Sequence, residues 1–422
     1  MIKHNILRKG CTLNSKEYQL KLPMEIDACI PANDCVRLIS QFVEEMDLAA
    51  LYDTYERMPS EKYASPEIML KIMLYAYHER KDISSRTIEK NCRRDINYMY
   101  LLEGRQVPDH SAIARFRSEH FAKCADLFLS QMAQMLLELE QITTTEVFID
   151  GTKIEASANK YTFVWKKSVT VNSGFIVAAG VFPNPTDVMT LKPFMEQMES
   201  SLRFKFDRIV ADAGYESEEN LVYLRDKEIE AYIKPSNYEQ LGTKKFAREI
   251  GRKENMQYDK DGDYYICHNG KKIVKTGVKT RKTSSGYLRE ETHYECKSCS
   301  GCPYSGKCLA GKNWKRPLEK RHKKLTVSRL FEELREEEYR LINSEEGKML
   351  RMNRSIQAEG GFADIKGDSG FTRFLCRGTD NVFAEYVLYA MAHNLGWLHS
   401  SIQNDKLDLH LYELKEEEKN AA

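Results

Sequence analysis

Two apolar stretches of this sequence end on aspartate. In VFIDGTKIEA, residues 147–156, Val147, Phe148 and Ile149 are side chains that fill strand faces, and Asp150 follows them directly. In FKFDRIVADAGYESEEN, residues 204–220, an apolar run closes on Asp212, with Gly214 just beyond. A carboxylate beside a core is costly unless it has a partner or faces a cleft. The plainer reading of Asp150-Gly151 is a turn. If the two strands are neighbours, the carboxylates converge and repel, and a divalent ion held by oxygen ligands would relieve the repulsion. A two-metal phosphoryl-transfer site needs one acid more. Glu359, in RMNRSIQAEGGFADIKGDSGFTRFLCRG at 351–378, shares helical spacing with Ile356, Phe362 and Lys366. Among 63 acidic residues, nothing in the sequence physics singles it out.

Cysteine supplies a second chemistry. HYECKSCSGCPYSGKCLAGK, residues 293–312, places Cys296, Cys299, Cys302 and Cys308 in the pattern C-x2-C-x2-C-x5-C. Thiols that dense in a reducing compartment point to a metal, with tetrahedral Zn²⁺ the default and an iron–sulfur cluster or unliganded thiols the alternatives. Cys267 and His268 are further ligand candidates, although a lone cysteine is usually a small buried hydrophobe. Immediately after comes KNWKRPLEKRHKK, 312–324, seven Lys or Arg in thirteen residues. Lys315, Arg316 and Arg321 in this run could neutralise phosphates, or the run could be a solvated face.

The elements that must position these groups are legible in outline. Residues 204–235 read as strand, helix, strand: Ser217 is an N-cap, Glu218 and Glu219 fill the first turn, and EIEAYIKP is a strand closed by Lys234 and Pro235. Strands joined in this way lie parallel, and sites gather beyond their carboxyl ends, where Asp212 and Asp150 fall. Upstream, residues 36–55 look helical, Ser65 and Pro66 start a helix to about 80, and short helices begin near Ser84 and Ser111. Their Arg86, Arg93, Arg94, Arg115 and Arg117 suit either a helix-turn-helix-like DNA-binding module or a bundle with a basic solvated face. Residues 381–398 read as a closing core helix in which His393 is a packed residue rather than a ligand. Charge is balanced over the 422 residues, 64 basic against 63 acidic, so it names no partner. The amino terminus lacks a signal-peptide core and no run is long and apolar enough to span a membrane, so the expectation is a soluble intracellular protein.

The ordered set of IDGT at Asp150, NPTD at 184–187, ADAGY around Asp212 and AEGGFADIK around Glu359 resembles the DDE transposases of bacterial insertion sequences. SPEIMLK, SSRTIE and VPDHSAIARFR similarly look like the amino-terminal region of one branch of that family, one with a cysteine-bearing insertion before the triad Glu. The resemblance implies an α/β fold: a ribonuclease-H-like mixed sheet flanked by helices, with an amino-terminal helical DNA-binding region and an inserted cysteine-rich subdomain. The parts would be 1–55 as an extension, 56–140 as the helical region, 141–240 and 336–400 as the two pieces of the core, 241–335 as the insertion and 401–422 as a polar tail.

It further implies Asp150, Asp212 and Glu359 as a triad holding Mg²⁺ or Mn²⁺, hydrolysing a phosphodiester at the element end and joining the freed 3′-hydroxyl to target DNA. Lys366 stands where relatives carry a base that contacts phosphate, with Lys234, Arg373 and Arg377 as weaker phosphate contacts. Partners would be double-stranded DNA with terminal inverted repeats, target DNA and a second copy of the chain, in a nucleoid-associated cytoplasmic protein.

Three departures from the family pattern accompany the match. Residues 161–185 pass between strands with almost no connection where relatives have a longer segment and a further strand, so the expectation there is a disturbed sheet and, as the alternative function, a degenerate copy that binds DNA without catalysis. An Arg usually stands four residues before the Glu, where this chain has Ser355, with Arg354 one step away. Gly360 and Gly361 follow Glu359 directly and would weaken a helix there.

Overall fold

The computed structural model describes residues 26–79, 82–154, 165–182, 186–309, 317–359, 374–407 and 410–413, with backbone alone at 152–154, 165–167 and 359. The chain begins with helices: α1 (Cys35–Glu44), α2 (Pro66–Glu79), α3 (Ser85–Asn91), α4 (Ile96–Leu102), α5 (His110–Arg115) and α6 (Ala125–Glu138). Their starts follow from side-chain caps: Ser65 accepts from the Ile68 amide at 3.2 Å, Ser84 from Thr87 at 3.3 Å and Asp109 from Ala112 at 2.6 Å. α2 is buried along most of its length, and its Lys71, 1% exposed, is met by Glu44 at 2.6 Å, Glu67 at 2.9 Å and Glu103 at 3.2 Å. A buried ammonium needs such company. Arg117, expected among the exposed basic residues, is instead buried. It donates to the Ile83 carbonyl at 3.3 Å and lies over the Tyr77 ring.

Then comes a five-stranded sheet of β1 (Glu146–Ile154), β2 (Trp165–Asn172), β3 (Phe175–Phe182), β4 (Arg208–Ala211) and β5 (Glu230–Ile233), in the order β3-β2-β1-β4-β5. β1, β2 and β3 are antiparallel neighbours, while β4 runs parallel to β1 and β5 to β4. This is the mixed ribonuclease-H-like sheet that the motif order implies. The short junction near residue 169 lies within β2, whose pairing with β3 shifts register between Thr170 and Val171. β2 turns into β3 through Ser173 (φ 54°) and Gly174 (φ 83°), a two-residue hairpin whose positive φ pair matches strand twist. Three long side chains hold that turn. Trp397 Nε1 donates to the Ser173 carbonyl at 3.1 Å, His393 Nε2 lies 3.1 Å from the Gly174 carbonyl, and Gln357 accepts from the Gly174 amide at 3.1 Å.

Helices cover the sheet: α7 (Leu191–Ser201), α8 (Glu218–Asp226), α9 (Arg329–Asn343), α10 (Glu345–Arg354) and α11 (Thr379–Gln403). α8 starts on the Ser217 cap as expected. Asn394 of α11 bonds both the amide and the carbonyl of Ile176, each at 2.8 Å, and so pairs with the free edge of β3. Between β5 and α9 lies a second sheet, all antiparallel: β6 (Gln257–Asp259), β7 (Tyr264–Ile266), β8 (Lys272–Lys282), β9 (Leu288–Cys296) and β10 (Lys323–Val327), in the order β10-β9-β8-β7-β6. It has its own small core around Tyr265, Ile273, Tyr294 and Val327. Among the described residues no helix is long and apolar enough to cross a membrane.

Candidate active site

Strand register places the aspartates. Ile149 pairs with Ala211, and Ala211 with Ile233. The next residues are Asp150, Asp212 and Lys234, so three charged groups follow the last aligned row at the carboxyl edge of the parallel strands. Asp150 does not end its strand, as the sequence suggested. β1 continues to Ile154 against β2, with Asp150 opposite Val169, and only its pairing with β4 stops at Ile149. Each aspartate is oriented by a short bond to the backbone after it: Asp150 Oδ1 accepts from the Gly151 amide and Asp212 Oδ1 from the Gly214 amide, both at 2.8 Å.

A further carboxylate belongs to this cluster. A Cβ at Gly214 would lie 2.7 Å from Asp187 Oδ2 and 2.9 Å from Asp212 Oδ1, so only glycine leaves room for both acids beside residue 214. Beneath them Tyr215 is fully buried, its hydroxyl 3.5 Å from Ser168 Oγ. Burial, and then the charges of Asp187, Asp150 and Asp212, push that hydroxyl well above its usual range. Asp187 is the last residue of the NPTD motif, but it opens a 3-10 turn in a loop rather than ending a strand, so no strand pattern marked it.

The helix that leads to Glu359 contains a wider turn. α10 ends at Arg354 and Ser355–Glu359 form a π-turn, whose hydrogen bonds span five residues instead of four. Arg354 and residue 359 are five apart, so the π-turn gives Arg354 the relation to 359 that a spacing of four gives in an α-helix. Arg354 Nη1 in fact lies 3.8 Å from Asp150 Oδ1. Ala358, just before Glu359, is buried with Phe148 of β1 and Val210 of β4, each two residues before an aspartate of the cluster. The backbone of 359 therefore sits beside the same sheet edge. Gly360, Gly361, Lys366 and Arg373 lie outside the described residues.

Oxygen donors of this kind suit Mg²⁺. Among the described residues, no group of three or more His, Cys, Asp or Glu side chains is arranged to hold a metal ion, and the Glu359 side chain is not among those described. Further cations lie on the elements next to this edge. Lys234 is paired with Glu239 and lies 5.2 Å from the centre of the Tyr238 ring, which Arg351 approaches to 5.1 Å. Arg335 bonds Glu216 at 2.5 Å and Asn237 at 2.6 Å, tying together the loops after β4 and β5. Neither Arg335 nor Arg351 was singled out in the sequence, because each is one more charge on a highly charged helix.

The other sequence candidates are dispersed. Arg93 and Arg115 line one cavity of about 870 Å³ in the helical region, together with Arg57, Lys123 and a Tyr55–His120 pair stacked at 3.6 Å. Arg86 and Arg94 are exposed and do not line it. Arg377 is exposed just before α11, while Arg321 is half-buried with Nη1 3.4 Å from the Leu309 carbonyl. Lys315 and Arg316 lie outside the described residues. Cys296, Cys299, Cys302 and Cys308 come together and line one small pocket with Cys267 and His268. Burial pushes the Cys296 thiol up to about 11. The Lys323 amide donates to Cys299 Sγ at 3.3 Å and the Asn269 side chain to Cys302 Sγ at 3.7 Å.

A family model described as transposase DDE domain matches residues 266–399, and one described as transposase domain (DUF772) matches residues 24–119. The stretch with Asp150 and Asp212 lies between the two. No curated protein matches the chain in sequence.

Proposed function

We propose, from the premise that this chain belongs to the DDE transposases of insertion elements, that it cuts the ends of its element and joins them to target DNA at the edge bearing Asp150 and Asp212. The observation that carries the reading is the register that sets those aspartates in one row beside Arg354. Asp150, Asp212 and Glu359 would hold Mg²⁺ or Mn²⁺, for which carboxylate oxygens are the fitting donors. Ions bound there would polarise the phosphodiester and ease deprotonation of the attacking hydroxyl.

The chain's own groups do the rest. The Gly214 amide holds Asp212 in place, and Arg354 offsets the charge of Asp150. Lys234 and Arg351 stand ready to meet phosphate oxygens next to the bond that breaks. Water attacks the phosphorus in line, the 3′-oxygen leaves, and that 3′-hydroxyl then attacks a phosphodiester of the target by the same displacement. A dimer on paired ends, with terminal repeats read by the helical region, completes the proposal. The alternative, a degenerate copy that binds DNA without catalysis, draws on the short junction near residue 169, which lies within β2 beside a shift of register between Thr170 and Val171.

The test is Mg²⁺-dependent nicking of a labelled duplex carrying the DNA that flanks this gene. Asp150→Asn, Asp212→Asn and Glu359→Gln should each lower nicking by roughly a hundredfold or more while the melting midpoint holds. Unchanged nicking in Asp150→Asn would remove the triad.

A structural Zn²⁺ at the cysteine pocket is the second part of the proposal, supported by five thiols on one small cavity with N–H donors aimed at two of them. Four of the thiols would have to draw closer around the ion than they stand. Elemental analysis of the purified chain should find one zinc per molecule, lost in Cys299→Ser. Iron with visible absorbance, or no metal, would refute it.

A further inference from the structure

The second sheet narrows to a ribbon. β7 pairs with β8 only over Lys272–Val274, so from Gly277 to Lys282 the one strand paired with β8 is β9. Every residue of β8 except Ile273 is exposed. The strand reads KIVKTGVKTRK, with five cations and no acid. Two of the five are engaged at its base: Lys275 meets Asp263 at 3.0 Å and Lys272 covers the Tyr264 ring at 3.9 Å. Lys279, Arg281 and Lys282 lie on the two-stranded part, where the Arg281 side chain is 74% exposed and its nearest acid, Glu291, is 3.9 Å away.

The ribbon is also fixed in place. Near its tip Arg289 Nε lies 2.7 Å from Glu218 Oε2, the Tyr287 hydroxyl donates to Glu218 at 3.1 Å, and Ser285 bonds Glu219. Glu218 is 4% exposed and opens α8, six residues after Asp212. The hairpin is thereby held against the turn that carries a catalytic aspartate, with its cations in solvent.

We propose that this ribbon is a DNA-binding arm, in which Lys279, Arg281 and Lys282 hold the sugar-phosphate backbone of the duplex that leads to Asp150 and Asp212. The inference rests on the transposase reading for its partner. A two-stranded ribbon fits the major groove, and cations on it displace counterions from phosphate. The chain's overall charge is near neutral, so DNA must be drawn by local surfaces of this kind. The competing explanation is that lysines on an unpaired edge strand only keep other strands away.

Fluorescence anisotropy of the full chain on the end-bearing duplex, in EDTA and over a range of KCl, decides between them. The variant Lys279→Ala/Arg281→Ala/Lys282→Ala should bind about 10- to 100-fold more weakly, with a log–log salt slope shallower by about 2 to 3 and an unchanged melting midpoint. Lys279→Arg/Lys282→Arg, which keeps the charge, should bind like the parent and covers the case in which the alanine variant misfolds. Equal affinity and slope in parent and alanine variant would overturn the arm, as would self-association of the variant with DNA binding intact. A parent that binds the duplex but never nicks it would sink the catalytic reading and leave the arm standing. A parent that binds no duplex would end both.

Discussion

Glu338 of α9 is a carboxyl group placed in the core. It is 7% exposed, and its Oε2 accepts from the Ile233 amide at 3.0 Å, at the end of β5. Burial first, against a lowering by that amide bond and with further raising by Glu337, Glu216 and Glu230, pushes its pKa up to about 8. A folded-state value above the ordinary 4.5 means that the native chain holds this proton more tightly than the unfolded one. Its contribution is complete below about 4.5 and is lost as pH rises towards about 8. The melting midpoint should therefore fall by a few degrees over that window, and Glu338→Gln, which mimics the protonated acid, should flatten the profile. An unaltered slope in Glu338→Gln would show that the proton resides elsewhere. The contrast with Asp150 and Asp212 shows what single residues reveal in a sequence. Those two were legible because each directly follows a recognisable apolar run, whereas Glu338 sits in the charged run EELREEEYR and only the strand that packs over it makes it unusual. Asp187 was hidden likewise, since its nearness to Asp212 depends on a loop fold.

Elements were most legible where they are begun by local chemistry. Ser65-Pro66, Ser84 and Ser217 start their helices as expected because a cap needs only its own next turn. The length of β1 was not legible, because it depends on β2, a partner that meets it only in the folded chain. The π-turn at Ser355–Glu359 was hidden for another reason: spacing was read as α-helical, and one residue too many between Arg354 and Glu359 then looked like a lost contact. A π-turn is what an α-helix becomes when it absorbs an extra residue without breaking. Removing Ser355, an exposed position in that turn, should then return the segment to α geometry with Arg354 still beside Asp150. The expected outcome is a melting midpoint equal to or above the parent's and nicking within about tenfold of it, since regular α-helical bonds replace the wider-spaced ones. Unfolding on deletion, or nicking lost as fully as in Asp150→Asn, would show that the wide turn is needed for the acid's position and does not merely accommodate the residue.

At the scale of the whole molecule, one helix decides how the parts depend on each other. From Ala384 to Leu395 every residue of α11 is buried, including Glu385, His393 and Asn394. A helix with no solvent face must be covered on all sides. On one side Asn394 pairs with β3; on the other Tyr389 meets Tyr77 of α2 edge-to-face at 4.7 Å. A single buried cluster accordingly runs from Ile30 through the sheet to Leu398. Motif order drew a boundary near residue 140, but the apolar faces on either side of that boundary are completed by the same distant helix. Residues 1–140 made alone would expose the faces of α2 and α6 that α11 covers, at a cost of about 25 cal/mol for each Å² left in water. That fragment should retain helix by circular dichroism, bind a hydrophobic dye and melt without a cooperative transition, and a separate peptide of residues 374–404 should restore one. If residues 1–140 instead melt cooperatively with no added peptide, the helical region is a domain in its own right and α11 merely rests on it. In that case the helical region could move relative to the acids, whereas a shared core fixes the two in one frame.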